Sequence, residues 1–220
     1  MKFISKLETR WAHSNSLLCV GLDPQLDRIP DHFKRQNSPY FDFCKAIVEA
    51  THEQVCCFKP QVAYFSAVGA EDQLEKLVLY IKEEYPDIPV ILDAKRGDIG
   101  STAALYAKEA YERYGADAVT VNPYLGVESI EPYMKYEDKG IVVLCRTSNP
   151  GSDWLQKDKK DSVPVYQRVA KQVADWNKED QFVLVTGATY PEELGKVRKI
   201  VGRMPLLVPG IGAQGGDIES

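Results

Sequence analysis

The sequence predicts an α/β protein made of repeated strand–helix units, of the kind that can close into a (β/α)8 barrel. Short apolar runs rich in β-branched residues alternate with longer amphipathic segments along the 220 residues. The apolar runs lack polar alternation, which is typical of strands buried on both faces of a parallel sheet. No linker rich in Gly and Ser or in Pro separates the units, so we expect one domain.

The strands and helices follow from these patterns in chain order. Strands are predicted at residues 17–22, 55–58, 88–92, 118–121, 141–145, 182–186 and 206–208, because these runs are short and apolar. Helices are predicted at residues 40–54, 71–85, 102–114, 129–136, 165–178 and 191–201, where apolar side chains recur at helical spacing. Pro191 suits a helix start, and Gly115 and Gly202 suit helix ends.

Seven units favour a barrel over an open doubly wound sheet, although the pattern alone is compatible with both. A closed barrel needs an eighth strand, and none follows residues 206–208. We therefore expect residues 1–220 to form a single (β/α) barrel domain, truncated at its C-terminus with the eighth strand missing.

Composition excludes several classes of protein. With 44% hydrophobic residues the chain can bury a core, which excludes disorder. A net charge of −5 gives no overall attraction to nucleic acid or acidic lipid, and no apolar run reaches the roughly 18 residues of a membrane helix. The N-terminus lacks the apolar region of a signal peptide, and the five cysteines lack metal-finger spacing. We expect a cytoplasmic protein with reduced thiols.

Charged residues begin where the apolar strands end. Asp93 and Lys95 follow the third run two residues apart, so they should project to the same side, and Asp98 lies just beyond. Asp23 follows the first run, and Lys59 follows the second. The carboxyl ends of barrel strands are where active sites are built. A strand-end ion pair with a helix-capping Asp is the structural alternative, but charges of alternating sign at neighbouring strand ends favour a site.

Two other segments are candidates for function. Residues 146–163 show no helical or strand pattern, and loops of that length are commonly lids or disordered segments. The glycine-rich segment that begins at Gly210 follows the seventh strand, where barrels commonly bind phosphate through backbone N–H groups. A structural turn is the alternative for this segment.

Five segments together resemble one family. DAKRGDIGST at residues 93–102 is similar to the D-x-K-x-x-D signature of orotidine 5′-monophosphate decarboxylase, in its bacterial subgroup. The other segments that fit the same subgroup are VGLDP at 20–24, FKPQ at 58–61, RTSNPG at 146–151 and VPGIGAQGGD at 208–217. The signature alone is shared with sugar-phosphate relatives, whereas all five segments in this order are highly specific.

The resemblance implies a (β/α)8 TIM barrel, a homodimer and a lyase without a cofactor or metal, which converts orotidine 5′-monophosphate to uridine 5′-monophosphate and CO2. Lys95 would protonate C6, and Asp93 would lie against the substrate carboxylate. Lys59 would hold Asp93 and Asp98 in a charge network and reach the ribose. In this family residues 146–163 would form a lid.

The same resemblance implies the remaining contacts with substrate. Asp23 would bind the ribose hydroxyls, and Ser148 would contact the pyrimidine. Asp98 and Thr102 would reach into the partner subunit's site. Gln214 and the backbone amides at Gly215 would contact the phosphate, while the family's phosphate-binding arginine after strand eight has no counterpart in these residues.

Two alternative functions stay open. A Mg²⁺-dependent sugar-phosphate decarboxylase or synthase shares the barrel, but its metal site would want a carboxylate where this chain has Lys59. Activity that survives EDTA would exclude it. A catalytically inactive nucleotide-binding fragment is the second alternative, which the intact set of charged residues argues against.

Overall fold

The computed structural model describes residues 1–211. These residues form ten α-helices, seven parallel strands and a two-stranded antiparallel hairpin. The strands are β1 Cys19–Leu22, β2 Cys57–Pro60, β3 Ile91–Arg96, β4 Ala118–Val121, β5 Gly140–Arg146, β6 Lys159–Lys160, β7 Val163–Pro164, β8 Phe182–Thr186 and β9 Leu206–Leu207. Of these, only β6 and β7 are antiparallel, and they form a separate hairpin.

The α-helices lie between the strands and include several short turns. They are α1 Phe3–Ser14, α2 Asp31–Lys34, α3 Pro39–Thr51, α4 Ala63–Ser66, α5 Glu71–Glu84, α6 Gly100–Lys108, α7 Glu131–Met134, α8 Asp153–Gln156, α9 Val165–Trp176 and α10 Pro191–Val201. Among residues 1–211, no helix is both long and apolar enough to cross a bilayer.

The parallel strands lie side by side in chain order. Strands β3, β4, β5, β8 and β9 form one sheet, and β1 pairs with β2. Two isolated parallel bridges, Phe58 with Val90 and Gln61 with Asp93, join β2 to the start and middle of β3. This order is what successive strand–helix units produce when each helix returns the chain to the adjacent strand. The predicted α/β class, with parallel strands adjacent in chain order, is confirmed.

Alternate strand residues face two separate hydrophobic clusters. Phe58, Leu92, Val119, Val143 and Leu184 pack in the larger cluster with the apolar faces of the helices. Their neighbours Cys57, Ile91, Ala118, Val142 and Val183 pack in the smaller cluster. Because successive side chains of a strand point to opposite faces, the first cluster lies under the helices and the second lies on the inner face of the strands.

Helix α1 covers the amino ends of the strands and was not predicted from the sequence. Its Phe3 and Leu7 are buried in the inner cluster. A Cβ atom added to Gly140 would lie 2.2 Å from the Phe3 ring, so only glycine permits this approach at the start of β5. Buried Arg10 donates to the carbonyl of Val55 at 3.0 Å and to Asp87 at 2.6 Å. The apolar i, i+4 spacing of Phe3 and Leu7 was the available signal.

The prediction that residues 146–163 lack regular structure was wrong. The segment carries a 3-10 turn at Pro150–Ser152, helix α8 and the β6–β7 hairpin. Each of these elements is too short to show a periodic pattern in sequence. The helix predicted at 129–136 is likewise divided into a 3-10 turn at Val127–Ser129 and the short α7.

Candidate active site

A single buried carboxylate lies at the centre of the candidate site. Asp93, in the middle of β3, is 6% exposed. Its Oδ2 accepts a hydrogen bond from Lys59 Nζ at 3.0 Å, and its Oδ1 accepts one from Lys95 Nζ at 2.8 Å. Oδ1 also accepts a hydrogen bond from Thr120 Oγ1 at 2.8 Å. The carboxylate is therefore held between two ammonium groups and a hydroxyl.

The strands place these four side chains on the inner face, above the apolar cluster. Lys59 follows Cys57 by two positions, Asp93 follows Ile91, and Thr120 follows Ala118. Because Cys57, Ile91 and Ala118 all belong to the inner cluster, the residues two positions further on point the same way. The site thus lies toward the carboxyl ends of β2, β3 and β4, where the sequence predicted it.

The backbone of Lys95 adopts a left-handed conformation, with φ of 47°. The β3–β4 pairing shifts register between Leu92 and Arg96, so the strand is irregular across this residue. A non-glycine residue in this region costs on the order of 1–3 kcal/mol and persists only where the surroundings fix it. Here Thr120 Oγ1 accepts hydrogen bonds from the backbone N–H groups of Ala94 and Lys95, both at 2.9 Å.

The charges around Asp93 keep it ionised. Burial alone would raise the pKa of the Asp93 carboxyl, but Lys59 and Lys95 outweigh burial and hold that pKa below its ordinary value. Burial alone would lower the pKa of the Lys59 ammonium, but Asp93 and then Asp23 outweigh it and raise that pKa. Both groups are therefore charged at neutral pH, and they form an ion pair with little exposure to water.

Asp23 is the second carboxylate of this cluster. It follows β1 and is exposed, yet partial desolvation of its carboxyl raises its pKa against the opposing effect of Lys59. Asp23, Lys59, Asp93 and Lys95 therefore form a set of two positive and two negative groups at one end of the strands. Such a set is close to neutral overall but holds a strong local field.

Asp98 and Thr102, in contrast, do not join this cluster within the chain. The Asp98 carboxylate accepts a hydrogen bond from the N–H of Ile99 at 2.8 Å, and it forms no ion pair with any side chain of residues 1–211. Thr102 is exposed on α6. Of the predicted catalytic residues, the structure thus brings together Lys59, Asp93 and Lys95 and leaves Asp98 apart.

Ser148 lies on the loop that follows β5, and Gly187 lies beneath it. A Cβ atom added to Gly187 would lie 2.8 Å from Ser148 Cα, so glycine lets the two backbones approach. Thr189 Oγ1 donates a hydrogen bond to the Ser148 carbonyl at 3.2 Å. Gln214 and Gly215, predicted to contact phosphate, lie outside the described residues.

Arg146 fixes the start of the same loop and has no exposed side-chain surface. Its guanidinium forms ion pairs with Asp153, at 2.5 Å, and with Glu193 of α10. It also donates to Ser152 and stacks over the Tyr190 ring at 3.8 Å. The loop after β5 is thereby tied to α8 and α10.

Sequence reasoning missed two of these residues, Thr120 and Arg146. Thr120 stands in the run AVTV, where a β-branched residue suits a strand and hides its hydroxyl among apolar neighbours. The available signal was that alternate residues of a strand face the same side, which places Thr120 on the inner face with Ala118. Arg146 was noted only within a family motif, although a charged residue directly after the apolar run 141–145 marks a strand end.

Comparison with known proteins gives consistent results. A family model described as "Orotidine 5'-phosphate decarboxylase / HUMPS family" matches residues 16–219. An orotidine 5′-phosphate decarboxylase of Ralstonia pickettii is 59% identical over 221 residues, which covers 100% of this chain and 82% of that protein. Among solved structures, the OMP decarboxylase of Leishmania donovani has a TM-score of 0.86 at 38% identity, over 96% of this chain and 80% of that one.

A second solved structure is a longer protein. The UMP synthase of Leishmania donovani matches with a TM-score of 0.89 at 40% identity. The match covers 99% of this chain but 46% of that chain. The present chain is therefore similar to one part of that protein.

Proposed function

The chain belongs to the orotidine 5′-phosphate decarboxylase / HUMPS family, and on that premise we propose that Lys59, Asp93 and Lys95 form the centre at which it removes CO2 from orotidine 5′-monophosphate. Its function is that of an orotidine 5′-phosphate decarboxylase, a carboxy-lyase of pyrimidine biosynthesis. The resemblance predicted from the five sequence segments is confirmed by the family and by the curated relatives.

The buried Asp93 carboxylate between two ammonium groups is the observation that supports this proposal. When the bond from C6 to the carboxylate breaks, its electron pair stays on C6, and CO2 leaves. The pyrimidine ring delocalises that charge poorly, so the site must stabilise it electrostatically. The Lys95 ammonium, 2.8 Å from Asp93, is a fixed positive charge suited to this task.

Proton transfer completes the reaction in this proposal. Lys95 Nζ gives a proton to C6, which forms the C6–H bond of uridine 5′-monophosphate and leaves a neutral amine that water reprotonates. Asp93 stays ionised, because its pKa lies below the ordinary value. A carboxylate held against the substrate carboxylate would also raise the energy of the bound substrate relative to the transition state.

The other predicted contacts supply binding energy in this proposal. Asp23 and Lys59 contact the ribose, Ser148 contacts the pyrimidine, and Gln214 with the amide at Gly215 contacts the phosphate. Binding energy from the phosphate and ribose, which do not react, can be used at C6. No cofactor is needed for this chemistry, because the ammonium group provides both the charge and the proton.

The chain contains residues that distinguish this reaction from that of a metal-dependent relative. Lys59 and Lys95 occupy both oxygens of Asp93. An ammonium group beside each oxygen opposes the binding of a divalent cation there. Curated orotidine 5′-phosphate decarboxylases are 56–59% identical to this chain.

We also propose a cytoplasmic homodimer in which Asp98 and Thr102 complete the partner subunit's site. Asp98 lies apart from its own chain's Lys59 and Lys95, and Thr102 is exposed on α6. Ile99 and Leu105, on the same segment, expose 54% and 66% of their surface. Exposed apolar side chains next to polar candidate residues are typical of a surface that pairs with another subunit.

The replacement Lys95→Ala tests the proposed acid. We expect turnover to fall by roughly 10²- to 10⁴-fold, the usual contribution of a positioned general acid. Binding of uridine 5′-monophosphate should remain measurable by calorimetry, because the ribose and phosphate contacts are intact. The matched control is Lys171→Ala, which removes an exposed lysine paired with Asp175 on α9. Turnover of Lys95→Ala equal to that of the control would exclude Lys95 as the acid.

A further inference from the structure

Thr120 contacts both Asp93 and Lys95, two residues of the proposed catalytic centre. Its side chain is on the inner face of β4 and is 1% exposed. Its Oγ1 lies 2.8 Å from Asp93 Oδ1, and 2.9 Å from the backbone nitrogens of both Ala94 and Lys95. One oxygen atom thus contacts the carboxylate and the backbone of the adjacent lysine.

The hydrogen-bonding capacity of a hydroxyl fixes the direction of these three bonds. A threonine hydroxyl has one proton to donate and two lone pairs to accept with. The two backbone N–H groups can only donate, so they use both lone pairs. The single hydroxyl proton must therefore go to Asp93. Every donor and acceptor of Thr120 Oγ1 is used, which leaves the group no alternative orientation.

We propose that Thr120 is a positioning residue of the decarboxylase, one that holds Asp93 and Lys95 in register with each other. This inference rests on the proposed function of those two residues. Lys95 Nζ and Thr120 Oγ1 both bind Asp93 Oδ1. The same hydroxyl also binds the N–H of Lys95, at the residue whose φ is 47°. It therefore fixes both the carboxylate and the unusual backbone conformation that aims the ammonium group.

The apolar part of Thr120 does not explain its presence. Its strand neighbours Val119 and Val121 are fully buried valines, and valine has nearly the shape and β-branching of threonine. Valine at position 120 would therefore fill the same space. It would leave the N–H groups of Ala94 and Lys95 without an acceptor and remove a donor from Asp93. The hydroxyl serves the site and is not required for packing.

The replacements Thr120→Val and Thr120→Ser test the inference. We expect Thr120→Val to lower kcat by about 10²-fold, since a displacement near 1 Å at a reacting group has that effect. KM should change by less than about threefold, because Thr120 is not one of the residues proposed to contact the ribose or the phosphate. Thr120→Ser keeps the hydroxyl and should retain kcat to within about threefold. Equal kcat for Thr120→Val and wild type, or failure of Thr120→Ser to retain activity, would overturn the inference.

Thr186 provides a matched control. It is also a buried strand threonine, but its Oγ1 has no hydrogen-bond partner among the residues that the structure describes. Thr186→Val should keep both kcat and the melting temperature. If Thr120→Val does not fold, the pair Thr120→Ser and Thr120→Ala replaces it, because these two variants differ in the hydroxyl alone. A kcat for Thr120→Ala equal to that of Thr120→Ser would then overturn the inference.

A second measurement separates this inference from the proposed function. Amide hydrogen exchange at Ala94 and Lys95 reports the two bonds to Thr120 directly, without any turnover. We expect exchange at both amides to accelerate at least tenfold in Thr120→Val and to stay unchanged in Thr186→Val. If the wild-type chain fails to decarboxylate orotidylate, the proposed function is wrong. If exchange at the two amides is the same in Thr120→Val and wild type, the positioning role is wrong.

Discussion

Asp93 and Lys59 are two buried charges whose contributions to stability are lost at opposite ends of the pH range. The pKa of Asp93 is lower in the folded chain than in the unfolded chain, where it is near 3.8. Its contribution to stability is therefore present above pH 3.8 and is lost as the pH falls through the lower folded value. The pKa of Lys59 is raised above 10.5, so its contribution is present below pH 10.5 and is lost above it.

The replacement Asp93→Asn should reveal how the contribution of the Asp93 charge to stability is lost at low pH. At neutral pH we expect the free energy of unfolding to fall by about 3 kcal/mol, because two ammonium groups lose their shared counterion. The difference from wild type should stay constant between about pH 5 and 9 and shrink below pH 4, where the wild-type carboxyl is protonated. Urea unfolding at a series of pH values measures it.

A surface carboxylate gives the comparison for this experiment. Asp158 is exposed on the loop after β5, and Asp158→Asn should change stability by less than about 0.5 kcal/mol at any pH. A loss in Asp93→Asn that is independent of pH down to pH 2 would contradict the assignment of the effect to charge.

At the scale of single residues, sequence reasoning found the charged groups but not their support. Lys59, Asp93 and Lys95 were predicted because charge directly after an apolar run is unusual. The left-handed conformation of Lys95 could not be predicted, since nothing in a lysine favours it. Asp98 was predicted to reach the partner subunit's site, and this stays a prediction; within its own chain the Asp98 carboxylate accepts a hydrogen bond from the N–H of Ile99.

Helices and strands show where hydrophobic pattern succeeds and where it fails. The predicted strands at 118–121 and 182–186 coincide with β4 and β8. Strand β3 was predicted at 88–92 but spans Ile91–Arg96. The prediction stopped at Leu92, because the apolar run ends there, whereas β3 continues through the charged residues of the site and pairs with β4 again at Arg96. Pattern therefore places strand ends least well where the chemistry is.

Arg146 determines how firmly the loop after β5 is held, and Arg146→Met tests this. We expect the free energy of unfolding to fall by about 2–4 kcal/mol, because among residues 1–211 the replacement leaves Glu193 with Lys157 as its one remaining ionic partner. The apparent KM should rise, since Ser148 lies on the released loop. Limited proteolysis should cut residues 147–163 faster than in wild type. Unfolding, steady-state kinetics and proteolysis are the measurements.

The exposed pair of Arg113 and Glu75 serves as the control for Arg146. Its atoms are 2.7 Å apart, but both side chains are well exposed. Arg113→Met should cost less than about 1 kcal/mol and leave KM unchanged. Equal losses in the two variants would show that Arg146 stabilises the chain no more than a surface residue does.

At the scale of the whole molecule, the proposed dimer predicts complementation between two inactive variants. In a mixed dimer of Lys95→Ala and Asp98→Ala, one site would contain both replacements and the other would contain neither. Random mixing of the subunits should therefore restore about a quarter of the wild-type activity, since half of the dimers are mixed. Activity measured after subunit exchange, with light scattering to confirm the dimer, tests this.

The outcome of the mixing experiment depends on which chain supplies Asp98. If Asp98 served the site of its own chain, both sites of a mixed dimer would be defective, and mixing would restore nothing. A sample that contains only the Asp98→Ala variant gives the background rate. A mixture no more active than this background would exclude a shared site.

The order of the strands was predictable from sequence, because each unit packs beside the previous one. The packing of α1 against the start of β5 could not be predicted, since no local pattern links residue 3 to residue 140. The helix-facing cluster follows from local periodicity. The contacts of Phe3 with the start of β5 follow only from three-dimensional shape.

The packing of α1 against the start of β5 has a consequence for biosynthesis. Phe3 is synthesised well before Asp138 and Gly140, against which it packs, because they follow it by 135 residues or more along the chain. At about 5–20 residues per second the interval is on the order of ten seconds. During that interval the apolar face of α1 has nothing to pack against. The nascent chain therefore exposes a segment that chaperones can bind and that the folded protein buries.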